Sequence, residues 1–120
     1  MTLRLVYPGL PPSEFSPNAR VHWSRRHAVG HDVDTDMCIL MLEQGWGMNP
    51  WKRAVVRFQY GLPDKRRRDL DNLIAASKPL LDALVGRVIR DDSVGAVELE
   101  YSTFSSPKNP VTVIEVSDAN

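Results

Sequence analysis

The strict alternation in residues 53–60, where Ala54, Val56, Phe58 and Tyr60 are apolar and the positions between them are mixed, constrains this chain more than any other feature. Side chains two apart share one face of a strand, so this run reads as a β-strand with one buried face.

Residues 3–7 read as a first short strand, ended by Pro8-Gly9-Leu10-Pro11-Pro12, since proline supplies no ladder donor. From 23 to 44 the period changes: Val29, Val33, Met37, Leu40 and Met41 recur at spacings of three and four, and Gly45-Trp46-Gly47 stops the run. This is one helix, with a frayed start expected from Gly30. Gly61-Leu62-Pro63-Asp64 is expected to break the 53–60 strand. A second helix spans 70–85, with Leu73, Ala76, Leu80 and Leu84 on one stripe and Ile74, Leu81 and Val85 on a neighbouring one. Pro79 lies inside it and predicts a kink, with Ser77 capping the second half. Strands at 94–103 and 111–117 close the chain. The order β-α-β-α-β-β predicts an α/β (α+β) fold, a small mixed sheet flanked by two main helices. At 120 residues the expectation is a single domain over the whole chain.

Composition excludes several classes. With 42% apolar and 25% charged residues the chain is not of the disordered type. No apolar run approaches the roughly 20 residues of a membrane span, and the start is too short and mixed for a signal peptide, so a cytoplasmic protein without a membrane partner is expected. The lone Cys38 sits among Met37, Ile39, Leu40 and Met41 and is expected in the core. A formal net charge of zero argues against a protein that coats DNA non-specifically. The charges are segregated, however. Basic residues gather at 20–31 and at Lys65-Arg66-Arg67-Arg68, and carboxylates gather from 69 to 100. A basic rim beside an acidic pocket suits a polyanion that must reach a metal.

The chemistry concentrates in residues 64–73, Asp-Lys-Arg-Arg-Arg-Asp-Leu-Asp-Asn-Leu, followed by Asp91-Asp92. In extended backbone Asp69 and Asp71 project to one side, about 6 to 7 Å apart at ~3.3 Å per residue, a spacing at which two carboxylates share a hard cation. Oxygen-only ligation selects Mg²⁺, with Mn²⁺ as a substitute, over zinc. The bland reading of Asp-x-Asp-Asn is a helix cap with first-turn acids. Several carboxylates at one site raise one another's pKa, so the cluster as a whole calls for a cation.

Residues 64–72, Lys78, Asp82-Ala83-Leu84 and Asp91-Asp92 resemble the signature of the RusA-like Holliday-junction resolvases. Pro11-Pro12-Ser13 and the run Asn18-Ala19-Arg20-Val21-His22-Trp23 resemble that family's opening loop, and the likeness runs loosely from Leu3 to Val116. The resemblance implies a homodimeric, Mg²⁺-dependent endodeoxyribonuclease that cuts four-way DNA junctions symmetrically in recombination and repair, with no organic cofactor. It implies Asp69, Asp71 and Asp92 as metal ligands, Asp91 as their neighbour, and Lys78 as the catalytic lysine. Counted back from 82–84 that lysine falls on Lys78; counted forward from 69–72 its place holds Ala75. Lys65, Arg66, Arg67, Arg68, Asn18, Arg20 and His22 are expected to contact DNA, chiefly its phosphates. His27 and His31, spaced i, i+4, lack a third ligand for zinc and read as phosphate contacts or plain surface. Trp23, Trp46 and Trp51 read as core or interface, with base stacking as the functional option. The second apolar stripe of the 70–85 helix is expected to meet a second subunit. The rival readings are a non-catalytic protein that recognises branched DNA by shape, and a structural protein ordered by a bound cation.

Overall fold

The computed structural model describes residues 2–119. Strand β1 (Thr2–Pro8) leads through a single 3-10 turn (Ser13–Phe15) to helix α1 (Trp23–Glu43), then strand β2 (Ala54–Leu62). Two short helices, α2 (Leu70–Ala76) and α3 (Lys78–Leu84), precede strands β3 (Val97–Ser105) and β4 (Val111–Asp118). The strands form one mixed sheet in the order β1-β4-β2-β3, in which only β2 and β3 run parallel. Since a parallel pair needs a crossover connection, α2 and α3 are that crossover. The fold is α+β.

The alternation of β2 holds along its length. Ala54, Val56, Phe58 and Tyr60 are all buried. In register with them, Ile114 pairs with both Leu5 and Phe58, and Val116 with both Leu3 and Val56, so one sheet face is continuous and apolar. Val33, Met37 and Met41 of α1 and Leu80 and Leu84 of α3 cover it in a single cluster. The opposite face carries Arg4, Arg57, Glu100 and Glu115, with Arg57 paired to Glu100 and Arg4 to Glu115. Such exposed pairs add little to stability. They keep that face polar.

Several local expectations change. The chain does not leave the sheet at Gly61: β2 continues through Leu62, and Gly61 pairs with Phe104 and Val111. A Cβ there would lie 2.7 Å from the Phe104 ring and 2.9 Å from Val111, so glycine is required by packing. β3 begins at Val97 rather than 94. Gly95, at φ 90°, and hydrogen bonds from the Ala96 and Val97 N–H groups to the Ser93 carbonyl hold the preceding residues in a turn. Helix α1 starts firmly at Trp23, with Gly30 inside it under the Phe15 ring. Cys38 is half-buried, on the flank of α1 instead of its core stripe.

The expected helix 70–85 is interrupted, and the interruption falls at Ser77 rather than as a bend at Pro79. Proline has no N–H and its ring clashes with the carbonyl four residues back, so the helix ends and restarts with Pro79 in the first turn, where no donor is needed. Ser77 occupies the cap position of α3, but its side chain makes no capping bond. It donates instead to the Leu73 carbonyl at 2.8 Å and lies 2.7 Å from the Tyr60 hydroxyl. A serine has one hydroxyl proton, and Leu73 receives it, so Tyr60 donates to Ser77. Of the second stripe, Leu81 is 8% exposed, and Ile74 and Val85 are half-buried.

Among the described residues no helix is long and apolar enough to cross a membrane.

Candidate active site

Beyond β2 the backbone turns around Asp64. One oxygen of its carboxylate accepts the Arg66 N–H at 3.1 Å and the Arg68 guanidinium at 2.8 Å, and these bonds, the Arg68 one above all, hold the carboxyl below its ordinary pKa. Arg68 also reaches the Arg66 carbonyl, and its side chain is 13% exposed. It is thus engaged within the turn. Lys65, Arg66 and Arg67 remain exposed.

Asp69 follows, extended at φ −83° and ψ 117°, as the residue before α2. Its carboxylate makes no capping hydrogen bond, so the cap reading does not account for it. Asp71 lies within the first turn of α2, where its charge opposes the helix's partial positive end. Because the helix begins between them, the two carboxylates do not project together from extended backbone as expected. Both are exposed.

Lys78 opens α3, and its ammonium contacts two carboxylates: Asp82 at 2.8 Å and Asp92 at 3.1 Å. Hydrogen bonds to Asp82 first and Asp92 second raise its pKa, so it is a cation throughout the physiological range. Asp82 was not singled out as a site residue from the sequence, although its i, i+4 spacing from Lys78 is the signal of a helical ion pair.

Asp92 reaches Lys78 because of a tryptophan. After α3, Gly86 at φ 85° turns the chain, and its N–H donates to the Ile89 carbonyl. Residues 88–90 then clamp Trp51: its N–H donates to the Val88 carbonyl at 2.7 Å, and the Arg90 N–H donates to its carbonyl at 3.0 Å. Trp46 packs edge-on against Trp51 and donates its indole N–H to the Arg87 carbonyl. Trp46 and Trp51 are structural. The anchored segment delivers Asp91 and Asp92 beside α3. Asp91 is spent within the turn, accepting from the Asp92 N–H and the Ser93 hydroxyl. Asp92 faces Lys78.

The opening loop reaches the same region. Pro11, Ser13 and Ser16 line a cleft of about 360 Å³ whose other wall is Arg68, Asp69 and Asn72. Asn18 and Arg20 lie on an adjoining concavity with Ser13 and Ser16. His22 caps α1, its Nδ1 accepting the Ser24 N–H at 3.2 Å, and the residue is exposed.

The oxygen donors of Asp69, Asp71 and Asp92 suit Mg²⁺ or Mn²⁺ by type. They are not gathered into one cage: among the described residues no group of three or more His, Cys, Asp or Glu is close enough to hold a metal. No family model and no curated protein matches the chain.

Proposed function

We propose that the chain is a Mg²⁺-dependent endodeoxyribonuclease that cuts branched DNA, with the four-way junction as substrate, as in the RusA-like resolvases it resembles. The observation that carries the reading is the 3.1 Å contact between Lys78 and Asp92. It joins the proposed catalytic lysine to the proposed third carboxylate across fourteen residues. It also supports Lys78, rather than the Ala75 position, as the family's lysine.

Asp69, Asp71 and Asp92 would hold the cation. Mg²⁺ commonly takes one or two carboxylates and completes its shell with waters and substrate phosphate, so an open carboxylate set fits the role without a preformed cage. When bound, the ion would polarise the scissile phosphate and favour an ionised attacking water. Lys78, positively charged and held by Asp82 and Asp92, neutralises charge developing on the phosphoryl oxygens. Lys65, Arg66 and Arg67 bind neighbouring phosphates from one side, and Asn18 and Arg20 from the opening loop. Paired incisions across a two-fold junction call for two equivalent sites, hence a homodimer working in the cytoplasm.

One observation favours a second reading, a structure-specific DNA-binding protein without catalysis: the three carboxylates are not collected together. Incubating the protein with a synthetic four-way junction and a matched duplex, in Mg²⁺ or in EDTA, separates the two. The proposal expects paired cuts near the branch point in Mg²⁺ alone. Binding of the junction without cleavage in either Mg²⁺ or Mn²⁺ would assign the second reading.

A further inference from the structure

A second cleft, of about 780 Å³, opens on the far side of Asp82, between the start of α1 and α3. Its size is within the range of sites for small organic ligands. Pro79, Ala83 and Gly30 line it with little bulk, and Trp23 stands at its mouth with 74% of its surface exposed. A large aromatic ring left so open at a cavity, with the chain's other two tryptophans packed on each other, is the feature that needs a ligand.

Trp23 is the first residue of α1, directly after the His22 cap, and its ring lies 5.5 Å from the imidazole of His22. Arg26 is held by its Nε, which donates to the Glu14 carbonyl, and its guanidinium lies over Phe15. The cleft's two carboxylates already have basic partners. Asp34 accepts both arms of Arg87, at 2.6 and 3.0 Å, and Asp82 takes Lys78. His27 and His31 add ring nitrogens to the same lining.

These features discriminate among ligands. A metal is disfavoured because the two histidines have no third partner among the described residues. A free phosphate would find Arg26, which bonds a carbonyl and a ring rather than a carboxylate, but it would leave the exposed Trp23 ring uncovered. A planar, neutral heteroaromatic group with hydrogen-bonding edges fits all of it: stacking on Trp23, and edge contacts to imidazole, guanidinium and carboxylate groups. Resting on the reading of this protein as a branched-DNA nuclease, we propose that the cleft receives an unpaired nucleobase from the substrate's branch point. Asp82 belongs both to this cleft and to the Lys78 contact, so a base seated here sets the neighbouring phosphodiester against Lys78.

Titrating the intact protein in EDTA with a short oligothymidylate, while following tryptophan fluorescence, tests the assignment. The oligonucleotide is expected to quench the emission of Trp23, and inorganic phosphate is expected neither to reproduce nor to reverse the quench. Trp23→Ala should remove the quench and weaken oligothymidylate binding about 5- to 150-fold, the range for loss of one base stack. Trp23→Phe should recover most of that affinity, and circular dichroism of both variants should match wild type because the ring contributes little to the core. Equal oligothymidylate affinity in wild type and Trp23→Ala, with junction binding and cutting intact, overturns the subsite alone. Quenching by inorganic phosphate also overturns it, in favour of a phosphate site. A wild-type protein that bound no DNA of any form would overturn the nuclease reading and the subsite together.

Discussion

Asp69 and Ser77 stand at equivalent places, each the polar residue before a short helix, and neither caps the helix it precedes. Their side chains go opposite ways. Ser77 turns inward, is buried, and links Tyr60 to the Leu73 carbonyl, so the break between α2 and α3 is pinned to the sheet. Asp69 stays exposed beside a cleft with no capping bond to occupy it. The same local sequence signal thus marks a structural joint in one place and an unspent carboxylate in the other. Substitutions at the two positions should separate folding from function.

The largest effect is expected at the carboxylates. Asp69→Asn or Asp71→Asn should leave folding and junction binding intact while lowering the cleavage rate by about a thousandfold or more, several kcal/mol of transition-state stabilisation. Asp92→Asn should act alike. Asp91→Asn should be far milder, because Asp91 is engaged with the Asp92 N–H and Ser93. Single-turnover cleavage of a labelled junction in Mg²⁺ measures all four. Wild-type cutting by Asp71→Asn would remove the metal assignment, and an Asp91 effect larger than that of Asp92 would move the third ligand by one residue.

Ser77 should show the reverse pattern. Ser77→Ala leaves the buried Tyr60 hydroxyl without an acceptor and should cost about 1–3 kcal/mol of stability, measured by urea unfolding. The cleavage rate of the folded fraction should be nearly unchanged; a thousandfold loss there would make the joint part of the catalytic machinery. Alkali probes the same link. Burial pushes the Tyr60 hydroxyl up to about 12 from its ordinary 10.0. Between those values the unfolded chain releases the proton and the folded one retains it, so stability present below pH 10 should decline as pH rises toward 12. In Tyr60→Phe that slope should be shallower.

The contrast also shows what the sequence could and could not convey. Period-two and period-3.6 patterns depend on burial of one face, and they placed β2, α1 and the core stripe of α2 and α3 to within a few residues. The Pro79 signal was legible as an interruption with Ser77 at the start of the second half, but the use of the Ser77 hydroxyl was not, since it meets Tyr60, seventeen residues away, instead of capping. The Asp-x-Asp motif was visible as chemistry. The helix start at Leu70 was legible too, and it already places Asp69 before the helix and Asp71 in its first turn rather than both on extended backbone. The approach of Asp92 to Lys78 was hidden: it follows from Trp51 clamping residues 88–90, and no local pattern encodes such a bridge.

The smallest effects should come from the basic run, where the same contrast between spent and unspent side chains recurs. Arg66 and Arg67 are exposed, whereas Arg68 is held by Asp64. Replacing Arg66 and Arg67 together with Ala should weaken binding to junction and duplex alike, since phosphate contacts carry no sequence or branch information. Each lost contact should flatten the dependence of log affinity on log salt by about one unit, giving about two for the pair. Arg68→Ala should leave that slope nearly untouched, because its guanidinium is already neutralised within the turn. Its effect should appear instead as poorer cleavage at unchanged affinity, as the Asp64 turn before α2 loosens. Fluorescence-anisotropy titrations of junction and duplex over a range of NaCl concentrations resolve the two behaviours. If Arg68→Ala flattened the slope as much as either exposed arginine, the Asp64 pairing would have to give way when DNA binds, and the run would act as one phosphate-binding unit.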